Sequence, residues 1–286
     1  MSKVTRIIKQ YWLEVKWLFI KLGWLLKSSP QKSNPYSDAS FTLGITTYKE
    51  RFDSYLKPLV IKLVYLFPEQ PIVIAVNGYH NIAEQEKYLR QIEEWVKPFQ
   101  NVSLVIYKEP QGLCKLWNQI LIKAPSKKVF LMNEDINVST SFRKDIFESG
   151  ILNSEFGLIN GSFSHFMLNK SLIKTVGWFD ERFPGIGYED HDFEIRMTLA
   201  NKQVEHFNVN GIKNERVVPK DWSYDEKHSV ILTKYSGPNE KHYFSKWEFS
   251  DVEKNGFVFV RIIQGYVRLK EKMETPNFYP EIEIKK

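Results

Sequence analysis

Four short apolar runs at nearly even spacing constrain this chain most: "FTLGITTY" (41–48), "PIVIAVNG" (71–78), "VSLVIYKE" (102–109) and "KVFLMNED" (128–135). Two helix-periodic stretches, "KERFDSYLKPLVIKLVYLF" and "IAEQEKYLRQIEEWVKPF", separate the first three. Strand, helix, strand in that rhythm predicts an α/β class, with a mainly parallel sheet and crossover helices on both faces. Ligands of such a sheet bind beyond the carboxyl ends of its strands. There the sequence places Thr46, Thr47 and Tyr48 after the first run, Asn77 and Gly78 after the second, and Asn133, Glu134 and Asp135 after the fourth.

After about residue 155 the rhythm changes. "FGLINGSFSHFMLNKSLIKTVGWF" reads as two strands and a short helix, and "DFEIRMTLANK" as another helix. Near the end, "VFVRIIQGYVRLKEKM" reads as a basic amphipathic helix, with Pro276 and Pro280 marking an irregular tail. At 286 residues and 43% hydrophobic, the chain can bury one large core, with or without an appendage. Aromatic residues reach 15%, which suits surfaces that stack on sugar or base rings as well as a core. Cys114 is the only cysteine, which excludes an intrachain disulfide and a cysteine-rich zinc module and predicts a reducing compartment.

Charge is concentrated at the start. Residues 1–36 hold seven basic side chains against one acid, leaving 33 of each sign in the rest of the chain. A neutral body lacks the basic face that phosphate neutralisation requires, so a nucleic-acid-binding body is excluded. In "VTRIIKQYWLEVKWLFIKLGWLLK", Ile8, Tyr11, Val15, Leu18, Phe19, Leu22 and Leu26 share one arc of a helix, with the charges opposite. Charges interrupt the run too often for a spanning helix, and a signal-peptide cleavage site is missing. This helix is expected either to lie on an anionic membrane surface through residues 1–28 or to pack on the body or on a second subunit as a homodimer. "KSSPQKSNPYSDAS" then reads as a polar linker, so the globular part starts near Phe41.

Asp135 ends an apolar strand, where a carboxylate is either a solvated turn residue or a ligand for a divalent cation. A denser acidic group lies in "FDERFPGIGYEDHDFEIR" (179–196), with six carboxylates, Gly185 and Gly187. Acids at the start of the following helix satisfy its free amides and dipole, and Asp192 and Arg196 form a favourable i, i+4 pair. A calcium loop is excluded, because Ile195 stands where glycine is required and Asn201 where a bidentate glutamate is required. Helix capping leaves unexplained why a Gly-Ile-Gly loop delivers Glu189 and Asp190 side by side.

"GWFDERFPGIGYEDHDFEIRM" resembles the acceptor-side motif of inverting GT-A fold glycosyltransferases of the family 2 type, with its glycine loop, E-D-x-D and following arginine. "GLCKLWNQI" (Gly112, Asn118), "NEDIN" at the place of the metal-binding D-x-D, and "YFSKWEF" (243–249) are similar to further motifs of that family in its order. The resemblance spans roughly 41–250 and implies a Rossmann-like GT-A domain there, its donor half at about 41–138 and its acceptor half at about 155–250. Residues 1–40 are then the basic helix and linker, and 251–286 a C-terminal helix and tail.

The resemblance implies that Asp190 is the general base, with Glu189, Asp192, Trp178, Tyr188 and Arg196 toward the acceptor. It implies a donor site of Thr46, Thr47, Tyr48, Arg51, Asn77, Gly112, Asn118 and Glu134, and a divalent metal, Mn2+ or Mg2+, on Asp135. A histidine often completes that metal shell, and His206 and His228 are both available. Asn77 stands where many relatives carry a pyrimidine-reading aspartate, and Asn133 with Glu134 depart from a strict D-x-D, so the donor is left open. The implied partners are a nucleotide-sugar and a lipid-linked or cell-surface glycan, at the cytoplasmic face of the membrane. A sugar-phosphate nucleotidyltransferase shares the sheet and acids but needs an early glycine-rich phosphate loop, and "GITTYKER" is not one. A degenerate module that binds glycan or membrane without catalysis is the other alternative.

Overall fold

The computed structural model describes residues 41–215, 237–249 and 269–284, all within the unit Ala39–Lys286. The expected amino-terminal helix and His228 lie outside these residues. The four apolar runs form β1 (Phe41–Thr47), β2 (Ile72–Val76), β3 (Val102–Ile106) and β4 (Lys128–Asn133). β1 and β2 are buried along their whole length, as strands covered on both faces must be. β5 (Ile136–Val138), β6 (Phe156–Ile159), β7 (Ser162–Asn169) and β8 (Glu205–Phe207) follow. One seven-stranded sheet runs in the order β3-β2-β1-β4-β7-β6-β8.

β1 pairs in parallel with both β2 and β4, while β7 runs antiparallel to β4 and to β6, which explains the change of sequence rhythm after residue 155. The chain builds outward from β1 to β2 and β3, then returns to place β4 on the other side of β1. The carboxyl ends of β1 and β4, at that reversal, are the place where open α/β sheets take ligands.

The helices are α1 (Lys57–Leu66), α2 (Ile82–Val96), α3 (Leu113–Lys123), α4 (Phe142–Glu148), α5 (Ile173–Val176), α6 (Glu189–Leu199) and α7 over 237–246. α1 is entered through a 3-10 turn, Lys49–Arg51, and one π turn, Phe52–Leu56, which together set Arg51 inward. α2 starts at Asn81, whose side chain accepts from the Glu84 amide and satisfies one free donor of the first turn. Among the described residues no helix is long and apolar enough to cross a membrane.

Among the described residues, many aromatic side chains fill the core. Phe41, Phe52, Phe67, Phe130, Phe142, Phe156, Phe166, Phe179, Phe183 and Phe193 are fully buried, and Phe179 stacks on Phe193 with centroids 4.2 Å apart. The tail also departs from expectation. Of the helix predicted over 258–273, the described part includes a strand, β11 (Leu269–Glu271), antiparallel to β10 (Trp247–Phe249). Beyond it, Phe278, Tyr279, Ile282 and Ile284 pack on the main core. Short strands β5 and β9 (Ile212–Asn214) form a separate antiparallel pair.

Candidate active site

At these strand ends, Thr46 and Asn133 are register partners on β1 and β4, and Thr46 Oγ1 donates to Asn133 Oδ1 at 3.4 Å. Thr47 is buried at the last position of β1, and Tyr48 follows it half-buried. Arg51 is buried with its guanidinium between three oxygens: Nη1 is 2.8 Å from Asp135 Oδ2, Nε donates to Tyr48 Oη at 2.9 Å, and Nε lies 3.4 Å from Glu134 Oε1. Burial pushes the Glu134 carboxyl up to about 7 against the opposing pull of Arg51. Asp135 Oδ1 is buried without a hydrogen-bond partner.

His165 also lies near this site without a signal in the sequence. It sits on β7 opposite Met132 of β4, 2% exposed, with neither ring nitrogen hydrogen-bonded. Burial pushes its imidazole down to about 4, with the Asp135 charge opposing, so it is neutral at physiological pH. A histidine inside an apolar strand carries no signal beyond core packing. His206 lies on β8 at the outer edge of the sheet, with β7 and β6 between it and β4.

Asn77 and Gly112 join loops to one another. The Asn77 Nδ2 donates to Gln111 O at 3.0 Å, and its Oδ1 accepts from the Gly78 and Gln111 amides at 2.8 Å each. A Cβ on Gly112 would lie 2.5 Å from Phe183 O, and the Leu113 amide donates to Gly185 O at 3.4 Å. The glycine therefore lets the acidic loop rest its backbone on the start of α3. Asn118 is fully buried, exchanging bonds with Phe179 O and N at 2.9 and 3.0 Å and donating to Glu181 Oε1 at 2.9 Å. In this structure Asn118 fastens α3 to the segment Phe179–Glu181 ahead of the glycine loop, and its amide is taken up by these internal bonds.

The six acids of 179–196 separate by environment. Asp180 is buried; burial pushes its carboxyl up, but bonds from His242, Arg182 and Lys246 more than reverse this and hold it well below the usual carboxylate range. Glu181 Oε1 accepts from Tyr279 of the tail as well as from Asn118. Asp192 is fully buried, with Arg196 Nε at 3.0 Å, Trp247 Nε1 at 3.0 Å and Lys246 Nζ at 2.6 Å. Arg196 is also buried and donates from Nη1 to Val176 O at 2.7 Å. Trp178 is 5% exposed, its Nε1 donating to Asn277 and its ring edge against Tyr279. Asp192, Arg196 and Trp178, expected toward the acceptor, are thus interior framework with no face free for a sugar in this conformation.

Glu189 and Asp190 open α6. Gly187 (φ +107°) and Tyr188 (φ +71°) both take left-handed backbone, which suits glycine and turns the chain sharply into the helix. The Tyr188 ring packs 5.1 Å from that of Tyr243 on α7. Glu189 is buried with Oε2 unpartnered, and burial together with the Asp190 charge pushes its carboxyl well above the usual range. Asp190 is half-buried, its Oδ1 accepting from the His191 amide at 2.9 Å. Glu194, further along α6, is half-buried, and burial followed by the Asp190 charge pushes it up to about 7. The site thus sets Glu189, its carboxyl pushed up by burial, beside the partly open carboxyl of Asp190 at the positive end of a helix.

The sheet order, the polar ends of β1 and β4, and the docking of the loop 183–185 on the start of α3 fit an α/β fold of the GT-A kind. Residues 100–237 match the family model described as glycosyltransferase like family 2, which supports a glycosyltransferase as the class of enzyme. Among solved structures, the chain is similar to S. aureus TarS 1–349 at 15% identity, over 72% of this chain and 73% of that one, with a TM-score of 0.46. The same protein in complex with UDP is similar at 16% identity over 72% of each chain, with a TM-score of 0.47. A mannosyltransferase, PcManGT from Pyrobaculum calidifontis, in complex with GDP-Man and Mn2+, is similar at 11% identity over 84% and 79%, with a TM-score of 0.48. No curated protein matches the chain.

Proposed function

We propose that this chain is an inverting glycosyltransferase that moves a sugar from a nucleotide-sugar to a hydroxyl of a lipid-linked or cell-surface glycan. The observation that carries this reading is the docking of the loop 183–185 on Gly112 and Leu113, which supports a shared cleft for Glu189 and Asp190 and the strand ends. Asp190 takes the proton of the acceptor hydroxyl while that oxygen forms a bond to the anomeric carbon. The bond from this carbon to the donor phosphate oxygen breaks, and its electron pair leaves with the nucleoside diphosphate. Glu189, its carboxyl pushed up by burial, places less negative charge beside the base than an open carboxylate would.

At the donor end, Arg51 supplies a fixed guanidinium near the departing diphosphate, with Thr46 and Tyr48 lining the same end. The residues also fit a divalent cation: Asp135 Oδ1 is buried and unpartnered, although among the described residues no group of three or more His, Cys, Asp or Glu is arranged as a complete shell. Such cations commonly use one or two carboxylates and take their remaining ligands from water and substrate phosphates. Mn2+ or Mg2+ held by Asp135 would neutralise charge on the leaving diphosphate.

The amino-terminal segment is assigned to the cytoplasmic face of the membrane through residues 1–28, on its basic and aromatic pattern. Proton NMR of the first product tests inversion directly. An α-linked nucleotide-sugar should give a β-linked product, and an α-linked first product would overturn single displacement.

A further inference from the structure

Three residues of α7 face the acidic loop. Asn239, Tyr243 and Lys246 recur at i, i+4 and i+7, which puts them on one side of the helix, and all three are buried. Asn239 is fully buried; its Oδ1 accepts from the Gly185 amide at 3.2 Å and its Nδ2 donates to Gly187 O at 2.7 Å. Tyr243 packs on Tyr188. Lys246, also fully buried, has Nζ 2.9 Å from Asp180 Oδ2 and 2.6 Å from Asp192 Oδ1, and donates to Thr275 Oγ1 at 2.6 Å.

Asp180 and Asp192 stand on either side of the stretch that contains Gly185, Gly187, Glu189 and Asp190. One ammonium therefore ties both ends of that stretch, and one amide grips both glycines in its middle. Glycines in a loop add backbone freedom, and these bonds oppose it where two acids must be aimed. A buried ion cluster is seldom the cheapest way to stabilise a core, since apolar residues of similar volume often do as well. Its geometric effect here is specific: three anchor points, all from one helix, fix a single loop.

We propose that Asn239 and Lys246 are positioning residues that clamp the glycine loop and so set the direction of Glu189 and Asp190. The proposal rests on the reading of Asp190 as the base. Neither residue touches substrate; both act through the loop.

The test uses the full chain with Asn239→Ala, Lys246→Met, Lys246→Arg and, alongside, Asp190→Asn. Hydrogen exchange reports the amides of 183–190 against those of β1 to β4. Release of nucleoside diphosphate from UDP- and GDP-linked sugars, divided by binding sites for UDP or GDP counted by calorimetry, reports turnover per folded site. Asn239→Ala should raise exchange in 183–190 about tenfold with β1 to β4 unchanged, and lower turnover per site by about ten- to a hundredfold. Lys246→Met should act in the same direction, and Lys246→Arg should recover part of both. A merely structural role would reduce binding sites and turnover together and loosen all strands alike; that result, or an unchanged loop in Asn239→Ala, overturns the clamp. A loosened loop with wild-type turnover per site overturns it as well if Asp190→Asn is inactive. Full turnover in Asp190→Asn would instead remove the base assignment, while the exchange data still decide whether the loop is clamped.

Discussion

Arg51 Nη1 lies 2.8 Å from Asp135 Oδ2, and the same guanidinium lies 3.4 Å from Glu134 Oε1. One buried cation thus faces two adjacent acids at the carboxyl end of β4. Arg51→Ala leaves both without it, and removing one partner of a buried pair costs about 3 kcal/mol or more. Urea unfolding at neutral pH should show that loss. Arg51→Lys should recover only part of it, because an ammonium lacks the planar fork that meets Tyr48, Glu134 and Asp135 together.

Glu134 gives stability a defined pH dependence. Its carboxyl is raised from 4.5 to about 7 in the folded chain, chiefly by burial. Between those values the folded state binds more protons than the unfolded one, so this group's contribution is complete below the lower value and is lost as pH rises through the upper. Glu134→Gln mimics the neutral acid and removes that slope. Relative to wild type, the variant should gain up to about 3 kcal/mol between pH 5 and pH 8 in denaturant titrations. A constant difference across that range would contradict the assignment.

Asn118 should behave as a fastening between α3 and the segment Phe179–Glu181. Asn118→Ala leaves the buried Phe179 N–H and C=O without side-chain partners, and such unsatisfied groups cost about 1–3 kcal/mol each before relaxation. Chemical denaturation should show a loss in that range. Nucleotide affinity measured by calorimetry under folding conditions should change less than threefold, since the lost bonds are internal. A large loss of affinity at unchanged stability would return Asn118 to the donor pocket.

Much of the fold was legible because parallel strands leave near-continuous apolar runs: β1 and β2 are buried throughout, and the half-buried edge strand β3 and β4 also lie within such runs. The tail was not legible: a basic amphipathic pattern at 258–273 reads as helix, while the pairing of Leu269–Glu271 with Trp247–Phe249 depends on a partner far away in sequence. For the site, pattern identified the residues but not their exposure. Asp192, Arg196, Trp178 and Asn118 carry the same letters whether open to a ligand or closed by Lys246, Val176, Asn277 and Phe179. Asn239 is illegible for the converse reason, since it acts only through the Gly185 and Gly187 backbone that folding brings to it.

The amino-terminal segment makes its own prediction. Deleting residues 1–30 should move the protein from membrane to soluble fractions, with oligomer size unchanged in light scattering. Unchanged partitioning with altered oligomer size would make the segment a packing element.

Asp190→Asn tests the central claim most directly. The amide keeps the shape of the side chain but cannot accept the acceptor's proton, and loss of a general base lowers turnover by about 10²- to 10⁴-fold. Sugar transfer should fall by that amount while calorimetry shows nucleotide-sugar binding unchanged. Wild-type turnover in Asp190→Asn with intact donor binding would contradict the account.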